Sequence, residues 1–196
     1  MKSPLLGVLL AAAVSLPAFA ALKQGEAAPD FSTQASLAGK AFTFSLANAR
    51  HSGAVVVYFY PSAFTGGCNI QAHEFAEHMD KFQAAGASVI GVSLDNITRL
   101  NAFSADPKYC AGKVPVASDA DGKIAGSYQL KVDPEEHGAK DSRGIEIGHG
   151  FAERTTFIVS PDGKVAETIG GLTPAENVEQ ALAAVQRLAA AHSGKK

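Results

Sequence analysis

The chain has 196 residues, of which 46% are hydrophobic and 18% charged, and its formal net charge is −2 at pH 7. That length and composition suit one globular domain with a substantial core. The near-neutral balance, with a terminal "GKK" as the basic cluster, argues against nucleic acid or an anionic membrane surface as the main partner.

In chain order, the first element is a leader. Residues 1–20, "MKSPLLGVLLAAAVSLPAFA", place Lys2 ahead of an apolar run from Leu5 to Leu16, then Pro17 and "AFA". This is the pattern of a secretory signal peptide cut after Ala20. A membrane anchor is the competing reading, but the run of about 12 residues falls short of the ~20 that a spanning helix needs. The expected organisation is therefore a signal peptide over 1–20 and one domain over 21–196, with no membrane association after cleavage. Export is expected, with the periplasm of a two-membrane envelope as the destination.

Residues 23–50 read as extended pieces and turns, with Gly39-Lys40 as the expected turn. "AVVVYFY" (54–60) is β-branched and aromatic without alternation, which predicts a central strand buried on both faces. "IQAHEFAEHMDKFQAAG" (70–86) spaces Phe75, Met79 and Phe82 by four and three and stops at Gly86, as an amphipathic helix does. "SVIGVSL" (88–94) predicts another buried strand, and "NITRLNAFSAD" (96–106) a helix. "VPVASD" (114–119) is a short strand and "DGKIAGSYQ" (121–129) a short helix or turn. Residues 131–153 are polar and rich in Gly and His, and read as a long surface loop. "TTFIVSPDGKVAETIGG" (155–171) predicts a hairpin turning on Asp162-Gly163. In "TPAE" (173–176), Thr173 caps a last helix, Pro174 takes its first position and Glu176 closes a capping box. Helices following buried strands imply parallel crossovers, and the hairpin adds an antiparallel pair. The fold class is α/β: a mixed central sheet with helices on both faces.

The chain has two cysteines, Cys68 and Cys110. Outside the cytosol such a pair defaults to a structural disulfide. The position of Cys68 points elsewhere. Strand 54–60 ends at Pro61, and a helix opens within a residue or two of Thr65–Cys68. That puts Cys68 in a first helical turn at the C-terminal edge of a sheet, where free N–H groups and the helix dipole favour a thiolate. Gly66 and Gly67 permit close backbone approach, Thr65 offers a hydroxyl, and Pro61 can wall a pocket without a competing donor. These are the surroundings of an activated cysteine.

"YPSAFTGGC" (60–68), with Pro61, Thr65 and Cys68 in P-x-x-x-T-x-x-C spacing, resembles the active-site signature of the peroxiredoxins. "ERTTFIVSPDGKV" (153–165) resembles the family's second signature and puts Arg154 on its arginine, 86 residues after Cys68. "APDFS" (28–32) resembles the usual start of the domain. The resemblance implies a thioredoxin fold with peroxiredoxin additions. "GGCNIQAHEF" (66–75) is most similar to the bacterioferritin-comigratory, or Q-type, branch. Two positions depart from that branch: Gln71 stands where a Glu is common, and His73 where many members carry a second cysteine.

The resemblance implies a chemistry. Cys68 would attack a peroxide, with Arg154, the Thr65 hydroxyl and the N–H groups of Gly67 and Cys68 as donors, and Gln71 as a nearby hydrogen-bonding group. Cys110, 42 residues on in "DPKYCAG", suits a resolving cysteine near the end of the next helix, with Lys108 and Lys113 beside it. Disulfide formation would then need local unfolding. The implied partners are a peroxide substrate and a thioredoxin-like reductant protein; neither metal nor organic cofactor is required. The branch is often monomeric. Three readings remain open at this point: a two-cysteine peroxidase, a one-cysteine peroxidase, and an exported non-catalytic domain with a structural Cys68–Cys110 disulfide. His73 and His78 are read as solvent-facing, Tyr58 and Phe64 as core or pocket wall, and His137 and His149 as loop residues with no catalytic part.

Overall fold

A computed structural model describes residues 21–193; the predicted signal peptide lies outside the described residues. The first half of the chain forms β1 (Ser32–Leu37), β2 (Lys40–Ser45), α1 (Leu46–Arg50), β3 (Ala54–Phe59), α2 (Gly66–Ala84), β4 (Ala87–Ser93) and α3 (Ile97–Ala105). The second half forms β5 (Val116–Ser118), α4 (Lys123–Ser127), β6 (Val132–Asp133), β7 (Phe151–Ala152), β8 (Thr155–Val159), β9 (Val165–Gly170) and α5 (Pro174–Ser193).

Seven strands join in the order β2-β1-β5-β4-β3-β8-β9. The three central strands β5, β4 and β3 run parallel, and β1 and β8 flank them antiparallel. All six residues of β3 are buried, because both faces of the sheet are covered. Ala54, Val56 and Tyr58 point into one core with Phe75, Phe82, Phe103 and Val185 of α2, α3 and α5. Val55, Val57 and Phe59 point into the other, with Leu46 of α1, Ala125 of α4 and Tyr128. The side-chain period of two is intact, and only the polarity contrast is missing.

The main elements stand where their sequence signals put them. Glu176 and Thr173 exchange the expected capping-box bonds at α5. Some elements differ. The first hairpin turns at Ala38-Gly39, one residue before the expected Gly39-Lys40, with both φ angles positive at 50° and 78°, as a two-residue hairpin loop requires. Helix α1 was not expected; Ser45 accepts from the Asn48 N–H to start it, and five residues are too few to show a helical period. The 131–153 segment is closed by the small β6–β7 ribbon.

Topology builds one edge. Strand β8 is antiparallel to β3, and Thr155 pairs with Phe59. The residue before β8 and the residues after β3 therefore meet at the C-terminal edge of the parallel strands, the usual location of sites in such sheets.

Packing within the sheet is tight at Gly91 of β4, where an added Cβ would lie 2.5 Å from Tyr58 Cζ. Gly91→Ala should destabilise the protein by about 1–3 kcal/mol through overpacking, measured as a lowered midpoint in urea unfolding with an unchanged slope.

Candidate active site

The site is assembled where β3 ends. Tyr60 follows the strand, Pro61 is half-buried, and the chain turns through Ser62, Ala63 and Phe64 before α2. Phe64 takes φ +61°, a left-handed conformation that costs a residue with a Cβ about 1–2 kcal/mol. Its ring is fully buried against Phe103 and Tyr109, at centroid distances of 5.0 and 5.7 Å, and the Arg143 guanidinium covers it at 3.3 Å. Packing holds the strained turn. The expectation of Phe64 as core or wall agrees with this, but its backbone strain has no signal in the sequence.

Thr65 is the N-cap residue of α2 by backbone conformation, yet its side chain caps nothing. Its hydroxyl donates to the Ser62 carbonyl at 2.8 Å. That commits the proton and leaves the oxygen lone pairs free to accept. The hydroxyl can thus receive a hydrogen bond from an incoming O–H group, which differs from the donor role expected of it. The first helical bond runs from Asn69 N–H to the Thr65 carbonyl, so the N–H groups of Gly66, Gly67 and Cys68 precede the helical ladder.

Cys68 is 2% exposed and free. Arg154 donates from Nη2 to its sulfur at 3.4 Å. The same guanidinium donates from Nη1 to Gln71 Oε1. Gln71 Nε2 donates to Asn177 Oδ1 at 2.9 Å, and Thr156 Oγ1 donates to that same oxygen at 2.6 Å. Asn177 Nδ2 ends the chain on the Ile169 carbonyl at 3.2 Å. Gln71 and Asn177 are fully buried. Both ends of the Gln71 carboxamide are therefore occupied, which puts it behind Arg154 as a support and not at the mouth of the site. Asn177, in the first turn of α5, is a member that sequence reasoning missed; Asn in a helix next to a capping box carries no distinctive spacing.

Gly67 has a steric reason of its own. A Cβ there would sit 3.1 Å from Arg154 Nη2 and 3.2 Å from Pro174 Cγ. The glycine makes the space through which Arg154 reaches sulfur.

Cys110 departs from expectation. It follows the end of α3 in a series of turns, not in a helix, and is completely buried. Lys108 and Lys113 are exposed around it. Burial pushes its thiol well above the ordinary range, and Asp106 adds to the rise. In this conformation Cys110 is a poor nucleophile. Cys68 and Cys110 border one apolar cluster but are not bonded.

The 131–153 segment also departs from a plain surface loop. Asp141 is buried and pairs with Arg99 at 2.8 Å and Arg143 at 2.7 Å. His149 lies 2.8 Å from the buried Asp95. His73 is exposed as expected and His78 half-buried, 4.0 Å from Glu74. Among the described residues no three His, Cys, Asp or Glu side chains are grouped to hold a metal ion, and no helix is long and apolar enough to cross a membrane.

A free cysteine at an open helix terminus, with a guanidinium on its sulfur and a donor-lined approach, is equipped to stabilise charge moving off an attacking sulfur. Gly67→Ala should push Arg154 aside and slow peroxide oxidation of Cys68 by at least about tenfold, a loss of ~1.4 kcal/mol of transition-state stabilisation, while far-UV circular dichroism stays unchanged. Stopped-flow oxidation of the reduced variant checks it.

Residues 24–168 match the model of the AhpC/TSA family. Peroxiredoxin Bcp of Xanthomonas campestris is 30% identical over 159 residues, covering 81% of this chain and 91% of that protein. The crystal structure of peroxidoxin BcpB from Mycobacterium tuberculosis superposes with a TM-score of 0.69 at 26% identity, over 85% of this chain and 97% of that one. The Xanthomonas campestris bacterioferritin comigratory protein, in a structure concerned with its alkyl peroxide reduction activity, gives 0.63 at 28% identity, over 80% and 91%.

Proposed function

The chain belongs to the AhpC/TSA family, as a Q-type peroxiredoxin, and we propose that it reduces hydrogen peroxide or organic hydroperoxides through Cys68, with Cys110 as the resolving thiol. The observation that carries this reading is the Arg154 Nη2 contact on Cys68 Sγ at 3.4 Å, beside the unladdered N–H groups of Gly67 and Cys68.

The Cys68 thiolate attacks one peroxide oxygen. An S–O bond forms, the O–O bond breaks, and the second oxygen leaves with a proton as water or alcohol. Sulfur is oxidised by two electrons to a sulfenic acid. Arg154 and the Gly67 and Cys68 N–H groups are aimed where negative charge develops. The Thr65 hydroxyl, its hydrogen donated to the Ser62 carbonyl, accepts from the bound peroxide and orients it. Gln71, Asn177 and Thr156 hold Arg154 in place.

Resolution requires a different conformation. The Cys110 thiol must leave the core, lose its proton, and displace hydroxide from Cys68, which departs as water. The resulting disulfide is exchanged with an external dithiol, a thioredoxin-like protein. The burial of Cys110 favours a second reading, in which an external thiol reduces Cys68 directly. The leader at 1–20 supports an exported, periplasmic setting for either cycle, where the reductant must receive electrons from across the inner membrane.

Counting thiols decides between the readings. One equivalent of hydrogen peroxide added to the reduced protein should remove two thiols without dimerisation, seen by intact-mass spectrometry after alkylation. Cys110→Ser should leave the first oxidation intact and abolish turnover with the dithiol protein; unaltered turnover would establish the one-cysteine cycle. Arg154→Ala should slow the first oxidation by about 10²-fold, the scale of losing one oxyanion donor, measured by stopped flow at fixed pH.

A further inference from the structure

The 131–153 segment takes no part in the chemistry above, yet it carries charges buried against the Cys68 turn. Asp95, two residues beyond β4, is at the centre. Its carboxylate accepts from Ser62 Oγ at 3.0 Å, Ala63 N–H at 2.7 Å and Ser93 Oγ at 2.7 Å. Arg99 Nε lies 2.8 Å from it, an ionic contact without hydrogen-bond alignment. Arg99 Nη2 meets the Ala63 carbonyl at 3.0 Å and Asp141 at 2.8 Å. Asp141 also holds Arg143, whose guanidinium covers the Phe64 ring, and Ser142 N–H donates to the Phe64 carbonyl at 2.9 Å. The segment thus grips the turn directly through Phe64 and indirectly through Asp95.

His149 joins the segment to Asp95 in a way that defines its charge. Nε2 faces Asp95 Oδ1 at 2.8 Å, and Nδ1 faces the Gly150 carbonyl at 2.7 Å. A carboxylate and a carbonyl can only accept. Both ring nitrogens must then carry hydrogen, so the arrangement is that of the imidazolium.

We propose that charged His149 is a positioning residue for Cys68: it holds Asp95, Asp95 holds the Ser62 hydroxyl and the Ala63 N–H, and the turn they fix presents Thr65 and the open end of α2 to peroxide. This rests on the reading of Cys68 as the peroxide-attacking residue. The groups around His149 come from four elements. Asp95 lies past β4 and favours the proton, and Arg99 of α3 opposes it. Ser62 of the turn sits 3.5 Å from Nε2, and the Phe151 ring of β7 lies 6.1 Å away between centroids. Asp141 and Arg143 act at one remove through Arg99. Burial pulls the His149 proton affinity down, but the Asp95 hydrogen bond and charge outweigh it and leave it above the usual imidazole value. A raised value in the folded state means the coupling is complete below the ordinary imidazole pKa and is lost as pH rises through the raised one.

The experiment follows two readouts on the full-length mature protein between pH 5 and 9. One is the ¹⁵N-resolved shift of the Ala63 amide. The other is the rate of Cys68 oxidation by hydrogen peroxide, divided by its rate of alkylation by iodoacetamide so that thiolate fraction cancels. In the wild type both should change through one transition, the rate ratio falling as pH rises. His149→Gln keeps a donor toward Asp95 without titrating, and should abolish both transitions while retaining most of the low-pH rate. His149→Ala should be about tenfold slower at pH 6. An Ala63 shift that does not follow the His149 titration would overturn the proposal. So would a falling limb that persists in His149→Gln, or a wild-type rate in His149→Ala. If wild-type Cys68 failed to react with peroxide, the function proposed above would fall, and the Ala63 titration would still decide whether His149 holds the turn.

Discussion

A guanidinium has to be kept beside a nearly buried sulfur, and much of the site is arranged around that need. An arginine in such a place is costly unless its hydrogens are met. Gln71 meets one, and is held in turn by Asn177, which Thr156 and the Ile169 carbonyl secure. The relay draws on α2, α5, β8 and β9. Helix packing and charge placement are thereby one problem: α5 cannot shift against α2 without moving the group that touches sulfur. Gly67 completes the arrangement by supplying no side chain where Arg154 must pass.

The opposite flank of the turn is held by different means. Phe64 is kept in a left-handed conformation by aromatic packing below and a cation above. Its neighbours Ser62 and Ala63 are pinned by one carboxylate. Buried ionic clusters of this kind contribute little net stability compared with apolar packing. What they do supply is a fixed geometry, because a half-satisfied cluster is costly.

Much of this was legible in the sequence, for reasons that can be named. β3 and α2 announce themselves through an unbroken β-branched and aromatic run and a helical apolar period. Cys68 and Thr65 are legible because they fall between a strand end and a helix start, whereas Arg154 is legible only through the resemblance of its stretch to the family's second signature. The part that could not be read is tertiary. Asn177 looks like any helix residue until β8 brings Thr156 under it. His149 sits in a polar, glycine-rich stretch whose composition signals exposure, and the approach of Asp95 from the end of β4 gives it a buried charged partner. The resemblance implies a resolving cysteine near the end of the next helix, a place that suits Cys110, but position along the chain says nothing of burial; the turns after α3 fold it inward. Strain at Phe64 is likewise invisible, since nothing in the residue itself favours a positive φ.

The Phe64 ring has two sets of neighbours with different allegiances. Phe103 and Tyr109 belong to the stretch that carries Cys110, and Arg143 belongs to the 131–153 segment. One side chain is thus shared by the surroundings of both cysteines and by an excursion of the chain far from either in sequence. Such sharing ties the histories of these positions together. A drift at 64 toward a small or branched residue would strand a cation on one side and open a void on the other, so residues 64, 103, 109 and 143 are expected to be inherited as a set. Lineages that shorten the excursion would have to re-furnish the turn from elsewhere.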